Sequence, residues 1–171
     1  MLFWVAQIVG GVALLFGVLT FQCKRRQTML QFQVVETGSW VVQYFLLGAL
    51  AGAALNFISL IRSVVFYYLD KKQKRPVWLL IVIMALGAIV SILTWQDWRS
   101  AFALIGWLIF TLSLWQENPQ TIRKLTLLQV PFWLVYGIAV GAIPSVLNEI
   151  FIFTSASFGL WRFRHKRKML K

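Results

Sequence analysis

The feature that most restricts the fold of this chain is a series of apolar stretches, each long enough to cross a bilayer as a helix. A bilayer core takes about 20 helical residues to cross. The 171-residue chain is 60% hydrophobic, which is more apolar surface than a soluble domain of this length buries. We therefore predict an all-α membrane protein. The seven predicted transmembrane helices are Leu2–Gln22, Thr28–Gly48, Leu50–Leu69, Val77–Trp95, Trp98–Trp115, Leu125–Gly141 and Ile143–Phe163.

The placement of the basic residues agrees with this count. Fifteen of the 17 Lys and Arg residues lie after the first, third, fifth and seventh stretches, whereas the other three connections hold only Arg99. Basic connections on alternate sides predict an outside N-terminus and an inside C-terminus. The basic clusters predict contact with anionic lipid headgroups at the inner face rather than with nucleic acid.

A polar pattern occurs twice in the chain, 92 residues apart. Each copy has a tryptophan, a tyrosine and, twelve positions after the tyrosine, an asparagine: Trp40, Tyr44 and Asn56, then Trp133, Tyr136 and Asn148. Four crossings separate the two asparagines, so both copies point the same way. The pattern predicts a 3+1+3 parallel repeat, with residues 1–70 and 97–163 as triple-helix bundles, 71–96 as a linker helix and 164–171 as a basic cytoplasmic tail.

Glycines are expected to form the turns inside the two longest apolar regions. Gly48 and Gly52 lie at the junction of the second and third stretches, and Gly137 and Gly141, with Pro144, lie at the junction of the sixth and seventh. Glycine accepts backbone angles that other residues avoid, so it permits a tight turn there.

Polar and aromatic side chains at bilayer depth are the expected substrate-binding residues, because such groups are costly unless they face protein or water. Amides both donate and accept hydrogen bonds, while an indole face covers C–H surface. The predicted substrate-binding residues are Asn56, Asn148, Trp40, Trp133, Tyr44, Tyr136 and Gln43.

Three charged residues also lie at bilayer depth. Glu36 and Arg62 lie eight and seven residues from the inner ends of neighbouring spans, and this similar depth predicts an ion pair. We interpret it as a structural lock, with a coupling role as the alternative, because the second copy has Leu128 and Thr154 at the matching positions. Glu149 follows Asn148 and is a candidate for binding a proton or a cationic substrate.

The sequence offers no metal site, cofactor site or enzyme chemistry. It contains one cysteine, Cys23, and one histidine, His165, and they lie far apart in the chain. No acid–base pair or nucleophile with its base is visible, so we expect no enzyme activity.

The plan of three, one and three helices resembles the SWEET and PQ-loop (MtN3-like) transporter group. Within this group the chain is most similar to the bacterial inner-membrane YgjV family, along almost its full length. The supporting stretches are residues 5–10 (VAQIVG), 55–62 (LNFISLIR) and 159–163 (GLWRF). The resemblance implies a multi-pass protein of the bacterial inner membrane, with a sugar pocket formed by Trp40, Asn56, Trp133 and Asn148.

The first functional hypothesis is a transporter that moves a small polar solute, such as a sugar, by alternating access. The alternatives are a proton-coupled carrier of a cationic or aromatic metabolite that uses Glu149, and a non-transporting membrane partner or lipid-handling protein. The oligomeric state is left open, with a homo-oligomer as one alternative.

Overall fold

The computed structural model describes residues 1–22, 26–72, 76–116 and 118–168, and within these ranges the chain is helical without a strand. The helices are α1 (Leu2–Gln22), α2 (Arg26–Leu46), α3 (Leu50–Lys72), α4 (Val77–Leu93), α5 (Arg99–Trp115), α6 (Pro119–Ala139) and α7 (Ile143–Lys168). Each predicted span corresponds to one helix, so the all-helical class is confirmed over these ranges. Cys23 and the predicted basic residues Lys24, Arg25, Lys74, Arg75 and Lys171 lie outside them.

Three of these helices are long and apolar enough to cross a membrane, namely at Leu2–Leu19, Leu50–Leu69 and Ile143–Trp161. Helices α4 and α5 are apolar but shorter, at 17 residues each. Helices α2 and α6 have 21 residues each but carry glutamines at bilayer depth, which lower their average hydropathy. The other four helices are thus either slightly shorter than a membrane span requires, as in α4 and α5, or less hydrophobic because of their polar residues, as in α2 and α6.

Glycine forms the turns between α2 and α3 and between α6 and α7. Gly48 and Gly141 have positive φ angles of 70° and 72°, where side chains with a Cβ are strained. Gly52 was expected in the first turn but lies inside α3. A Cβ there would approach the Tyr136 hydroxyl to 2.6 Å, so glycine at this position allows a close helix contact instead.

The helices pack in an order that follows the chain. Helix α2 lies between α1 and α3, and α6 lies between α5 and α7. Between these two groups, α1 contacts α7 and α3 contacts α5, while α4 lies against α3 and α5. Every described helix except α4 therefore contributes to the contact between the two groups or to the packing inside one of them.

Two glutamine side chains bind turns at one end of the bundle. This end carries residues 47–49, 94–98 and 140–142, and we name it the closed end. In each case Nε2 donates to the carbonyl of the turn glycine, and Oε1 accepts from the amide two residues later. We call these contacts the glutamine clamps. Gln7 donates to Gly141 at 2.9 Å and accepts from Ile143 at 3.2 Å. Gln96 donates to Gly48 and accepts from Leu50, at 3.0 Å in each bond. The Gln96 clamp thus bonds the Gly48 carbonyl and the Leu50 amide, whereas the Ile143 amide also donates to the Gly141 carbonyl at 3.1 Å.

An ion pair lies beside the second clamp. Asp97 accepts hydrogen bonds from the Arg99 amide at 2.9 Å and from Arg99 Nε at 2.6 Å. Arg99 also donates to the Ala139 carbonyl at 3.0 Å, which connects this turn to the end of α6. The hydrogen bond with Arg99 holds the pKa of Asp97 below its ordinary value of 3.8.

This lowered pKa predicts a pH dependence of stability. A carboxyl whose folded pKa is depressed stabilises the fold above its unfolded pKa and loses that contribution as pH falls through the folded pKa. Wild type should therefore melt at a higher temperature than Asp97→Asn above about pH 5. The difference should shrink as pH falls below 3.8, the ordinary pKa of the carboxyl. Both side chains are partly exposed, so high salt should reduce the difference. A difference that does not shrink in acid, or that ignores salt, would contradict this account.

Helix α4 positions a tryptophan of α5 through one glycine. The Trp107 ring is 1% exposed and lies against Gly87, where any Cβ would overlap the ring. The indole Nε1 donates to Ser59 Oγ on α3 at 2.7 Å. Gly87 therefore fixes the distance between α4 and α5 and, through Trp107, the contact of α5 with α3.

Enlarging this glycine should destabilise the protein. We expect Gly87→Leu to lower the free energy of unfolding by about 1–3 kcal/mol or more, because the ring has no space to move into. Unfolding in mixed detergent micelles measures the change. Gly11→Leu is the matched control, since Gly11 is exposed and a Cβ there meets nothing within 4 Å. Equal destabilisation by both variants would contradict the prediction.

Candidate functional site

A cavity of about 480 Å³ lies between α2, α3, α5, α6 and α7. Its size is in the range of about 300–1,000 Å³ that is typical of small-molecule sites. Five of the predicted substrate-binding residues line it, and they come from four helices: Trp40, Tyr44, Asn56, Trp133 and Asn148. Glu36, Arg62 and Glu149 line it as well. The sequence pattern therefore selected residues that the fold brings together around one cavity.

Two tyrosine hydroxyls join the helix groups where the cavity approaches the closed end. Tyr44 on α2 shares a hydrogen bond of 2.6 Å with Ser145 on α7, and Tyr136 on α6 accepts from the Gly52 amide on α3 at 2.8 Å. Both tyrosines are only 2% exposed. Each therefore bonds to a helix of the other group, and we call the two contacts the tyrosine lock.

The lock also includes ring contacts. The Tyr44 ring lies 5.5 Å from the Tyr136 ring and 6.1 Å from the Trp133 ring, measured between centroids. Trp40 and Trp133 are buried beside them. Tyr136 is not among the residues that line the cavity in this structure, and its predicted place in the binding site stays a prediction. Its hydroxyl holds two helices together at the closed end.

The two asparagines differ in their surroundings. Asn56 is half-buried, and its Nδ2 donates to the Gly52 carbonyl of its own helix at 2.9 Å. Asn148 is buried, and its Oδ1 has no hydrogen-bond partner. A buried acceptor without a partner costs about 1–3 kcal/mol. Asn148 therefore carries an acceptor that no donor of the described residues satisfies.

Gln43 lies outside the cavity, in contrast to its predicted role in binding. It is fully buried against Gly10 of α1, where a Cβ would overlap its carboxamide. Neither its Nε2 nor its Oε1 has a hydrogen-bond partner. Its depth matched the asparagines, but its direction along α2 is toward α1 rather than toward the cavity.

The predicted ion pair between Glu36 and Arg62 is not formed, although both residues are described. Arg62 donates to Thr111 Oγ1 on α5 at 2.5 Å, and its guanidinium lies 5.6 Å from the Trp107 ring and 5.5 Å from the Phe110 ring. Glu36 instead accepts from Trp40 Nε1 at 3.5 Å. The side chains thus turn toward different neighbours, Arg62 toward α5 and Glu36 toward Trp40 of its own helix.

The second buried carboxylate lies on the same side of the cavity as Glu36. Glu149 on α7 is 6% exposed, and its Oε2 accepts from Gln129 Nε2 on α6 at 3.1 Å. Glu36 and Glu149 are close enough to interact electrostatically. No group of three His, Cys, Asp or Glu side chains that could hold a metal occurs in the part of the chain that the structure describes.

Sequence reasoning missed several residues that define this site. Trp107 lies in the middle of α5, away from the interfacial positions where tryptophan is common, and this was a usable signal. Gln7 is the one amide in the apolar stretch Leu2–Leu19, which also marks it as a polar contact. Thr111 gave no signal, because a threonine can bond to its own helix backbone.

Comparison with known proteins identifies the family. The profile of Imp-YgjV, described as bacterial inner membrane protein, matches residues 4–167. The chain is 22% identical over 147 residues to the inner membrane protein YgjV of Escherichia coli strain K12, covering 86% of this chain and 78% of the relative. No solved structure matches the chain. The chain belongs to the Imp-YgjV family, and its predicted location in the bacterial inner membrane is confirmed.

Proposed function

We propose that this member of the YgjV family is a transporter that moves a small polar solute across the inner membrane by alternating access. The observation that carries the proposal is that one tryptophan and one asparagine from each predicted repeat line a single cavity: Trp40 and Asn56 with Trp133 and Asn148. Stacking surfaces and amides around a cavity of this size suit a small polar molecule.

The proposal includes the 3+1+3 parallel repeat. It is supported by the packing, in which α1 and α7 meet as α5 and α3 do. The clamps support it too, because Gln7 of the first half binds the turn of the second half and Gln96, just before α5, binds the turn of the first. The turn glycines bound by the two clamps are 93 residues apart, close to the repeat spacing of 92.

The cavity is proposed to face the cytoplasm in this conformation. The tyrosine lock and the glutamine clamps close the end that carries the neutral connections, which the positive-inside rule assigns to the outside. The lining extends away from this end to Gln33, Gln116 and Ile122, near the other ends of α2, α5 and α6. Transport then requires the lock to break and the opposite end to close.

Exchange of radiolabelled solutes through proteoliposomes tests the proposal. A screen should contain sugars, polyols, amines and amino acids, each at equal concentration on both sides of the membrane. Entry of the radiolabel then reports exchange without a driving force. Saturable exchange of at least one solute is expected. If no solute in any class exchanges, while the protein is folded and inserted, transport is ruled out for these classes.

Coupling of this transport to protons is the second candidate, because Glu149 is a buried carboxylate in the cavity wall. Such coupling predicts solute uptake driven by an inward proton gradient and lost in Glu149→Gln. Uptake that ignores the gradient, or that survives the substitution with its gradient dependence intact, would exclude this role of Glu149.

A further inference from the structure

The charged groups of the cavity are separated into two sites. Arg62 is 2% exposed and turns toward α5, where Thr111, Trp107 and Phe110 surround it. Glu36 and Glu149 lie together on the side formed by α2, α6 and α7. Neither carboxylate forms an ion pair with Arg62, although all three groups line one cavity.

Polar atoms without partners occur at both sites. Arg62 uses Nη1 for Thr111, but its Nε has no hydrogen-bond partner. On the other side, Asn148 Oδ1, which has no partner, and Glu36 Oε1, which accepts from Trp40 Nε1, both come within 3.2 Å of one point, the position of a Cβ on Gly17 of α1. The basic site thus contains an unsatisfied donor, and the acidic site contains an unsatisfied acceptor.

Buried charges are costly unless an opposite charge and hydrogen bonds compensate them. Within the described residues, neither site contains its own opposite charge. A neutral sugar would hydrogen-bond to these groups but would compensate none of the charges. A solute that carries one positive and one negative group would place an opposite charge at both sites at once.

We propose that the cavity binds a small zwitterion of the amino-acid class, with its carboxylate at Arg62 and its ammonium group between Glu36 and Glu149. An arginine fork is well suited to a carboxylate, and an ammonium group donates to carboxylate and amide oxygens. Trp40 and Trp133 provide apolar and cation–π surface for the remainder of the solute. This inference rests on the proposed transport function and narrows its substrate class.

The experiment compares solutes that differ only in charge. Purified full-length protein is screened by thermal shift against the free L-amino acids, their N-acetyl forms and their methyl esters, with monosaccharides and polyols alongside. A ligand that binds the folded state raises its melting temperature. At least one free amino acid should stabilise the protein, while its N-acetyl form and its methyl ester bind at least tenfold more weakly.

Variants then assign each charge to its site. Glu36→Gln and Glu149→Gln should each weaken binding of the free amino acid at least tenfold. Arg62→Gln should also weaken binding of the free amino acid at least tenfold, but it should leave binding of the methyl ester unchanged. Thr154→Val is the matched control on α7, because Thr154 is exposed and bonds only to its own helix at Ile150. If Arg62→Gln does not fold, the variants Glu36→Gln and Glu149→Gln, together with the N-acetyl and methyl ester solutes, still test the proposal.

Three results would overturn the inference. Binding or exchange of neutral sugars alone, unchanged in the charge variants, would leave the transporter proposal standing and remove the zwitterion. A methyl ester that binds as tightly as the free amino acid would show that Arg62 has no part and that the substrate is a cation. Absence of binding and exchange for every solute would remove both proposals.

Discussion

Replacing Asn56 and Asn148 together with alanine should reduce solute exchange to the background of empty liposomes. Each amide is expected to offer the solute one or two hydrogen bonds in the cavity wall. Losing such a bond costs about 1–3 kcal/mol, so each single variant should weaken transport about 10- to 100-fold. Asn148→Ala should have the larger effect, because its Oδ1 is buried and has no protein partner.

The same variants should leave the fold intact. Asn56 bonds only to its own helix, and removal of Asn148 Oδ1 removes an unsatisfied group. Thermal unfolding in detergent checks this point, and Ser39→Ala, at an exposed hydrogen bond within α2, is the control for a lost polar group. Unchanged flux in both single variants would show that the asparagines are not part of the substrate site.

The second large effect is expected from Tyr44→Phe combined with Tyr136→Phe. Both substitutions keep the ring packing but remove the hydroxyls that bond Ser145 and the Gly52 amide. Each lost buried bond costs about 1–3 kcal/mol, so the pair should shift the equilibrium away from the cytoplasm-facing state by roughly a hundredfold or more.

Chemical labelling measures this shift. Thr37→Cys, in the cavity wall, is placed in a Cys23→Ser background and treated with a membrane-impermeant maleimide. Without the tyrosine substitutions, labelling should be fast only from the cytoplasmic side; with them, it should become fast from the outside. Tyr68→Phe, at an exposed tyrosine of α3, is the matched control. Outside labelling that stays slow in the double variant would mean that the hydroxyls do not hold this end closed.

The helices and the composition of the cavity wall followed from the sequence because both depend on short-range rules. Apolar length and alternating basic connections define the helices, and polar residues at bilayer depth must face protein or water. The same two rules place Trp40, Asn56, Trp133 and Asn148 away from lipid. These rules do not predict that the four residues line one cavity, because that depends on how the two helix groups pack.

The errors arose where depth was known but rotation was not. Gln43 lies only seven residues from Glu36 on α2, yet Glu36 lines the cavity and Gln43 faces Gly10 of α1. Arg62 matched Glu36 in depth but found Thr111 on α5, a helix that is not its sequence neighbour. Rise per residue follows from helix geometry, whereas the direction of a side chain depends on which neighbours leave space for it.

Arg62 has no charged counterpart at the matching position of the second half, and this has an evolutionary meaning if the chain is a fused duplication. An assembly of two identical three-helix subunits would carry every charge twice, related by its symmetry axis. In one continuous chain the halves are free to diverge, and at the repeat spacing Glu36 corresponds to Leu128 and Arg62 to Thr154. Fusion thereby allows a cavity with a positive and a negative pole, which would hold an asymmetric solute in one orientation throughout its passage.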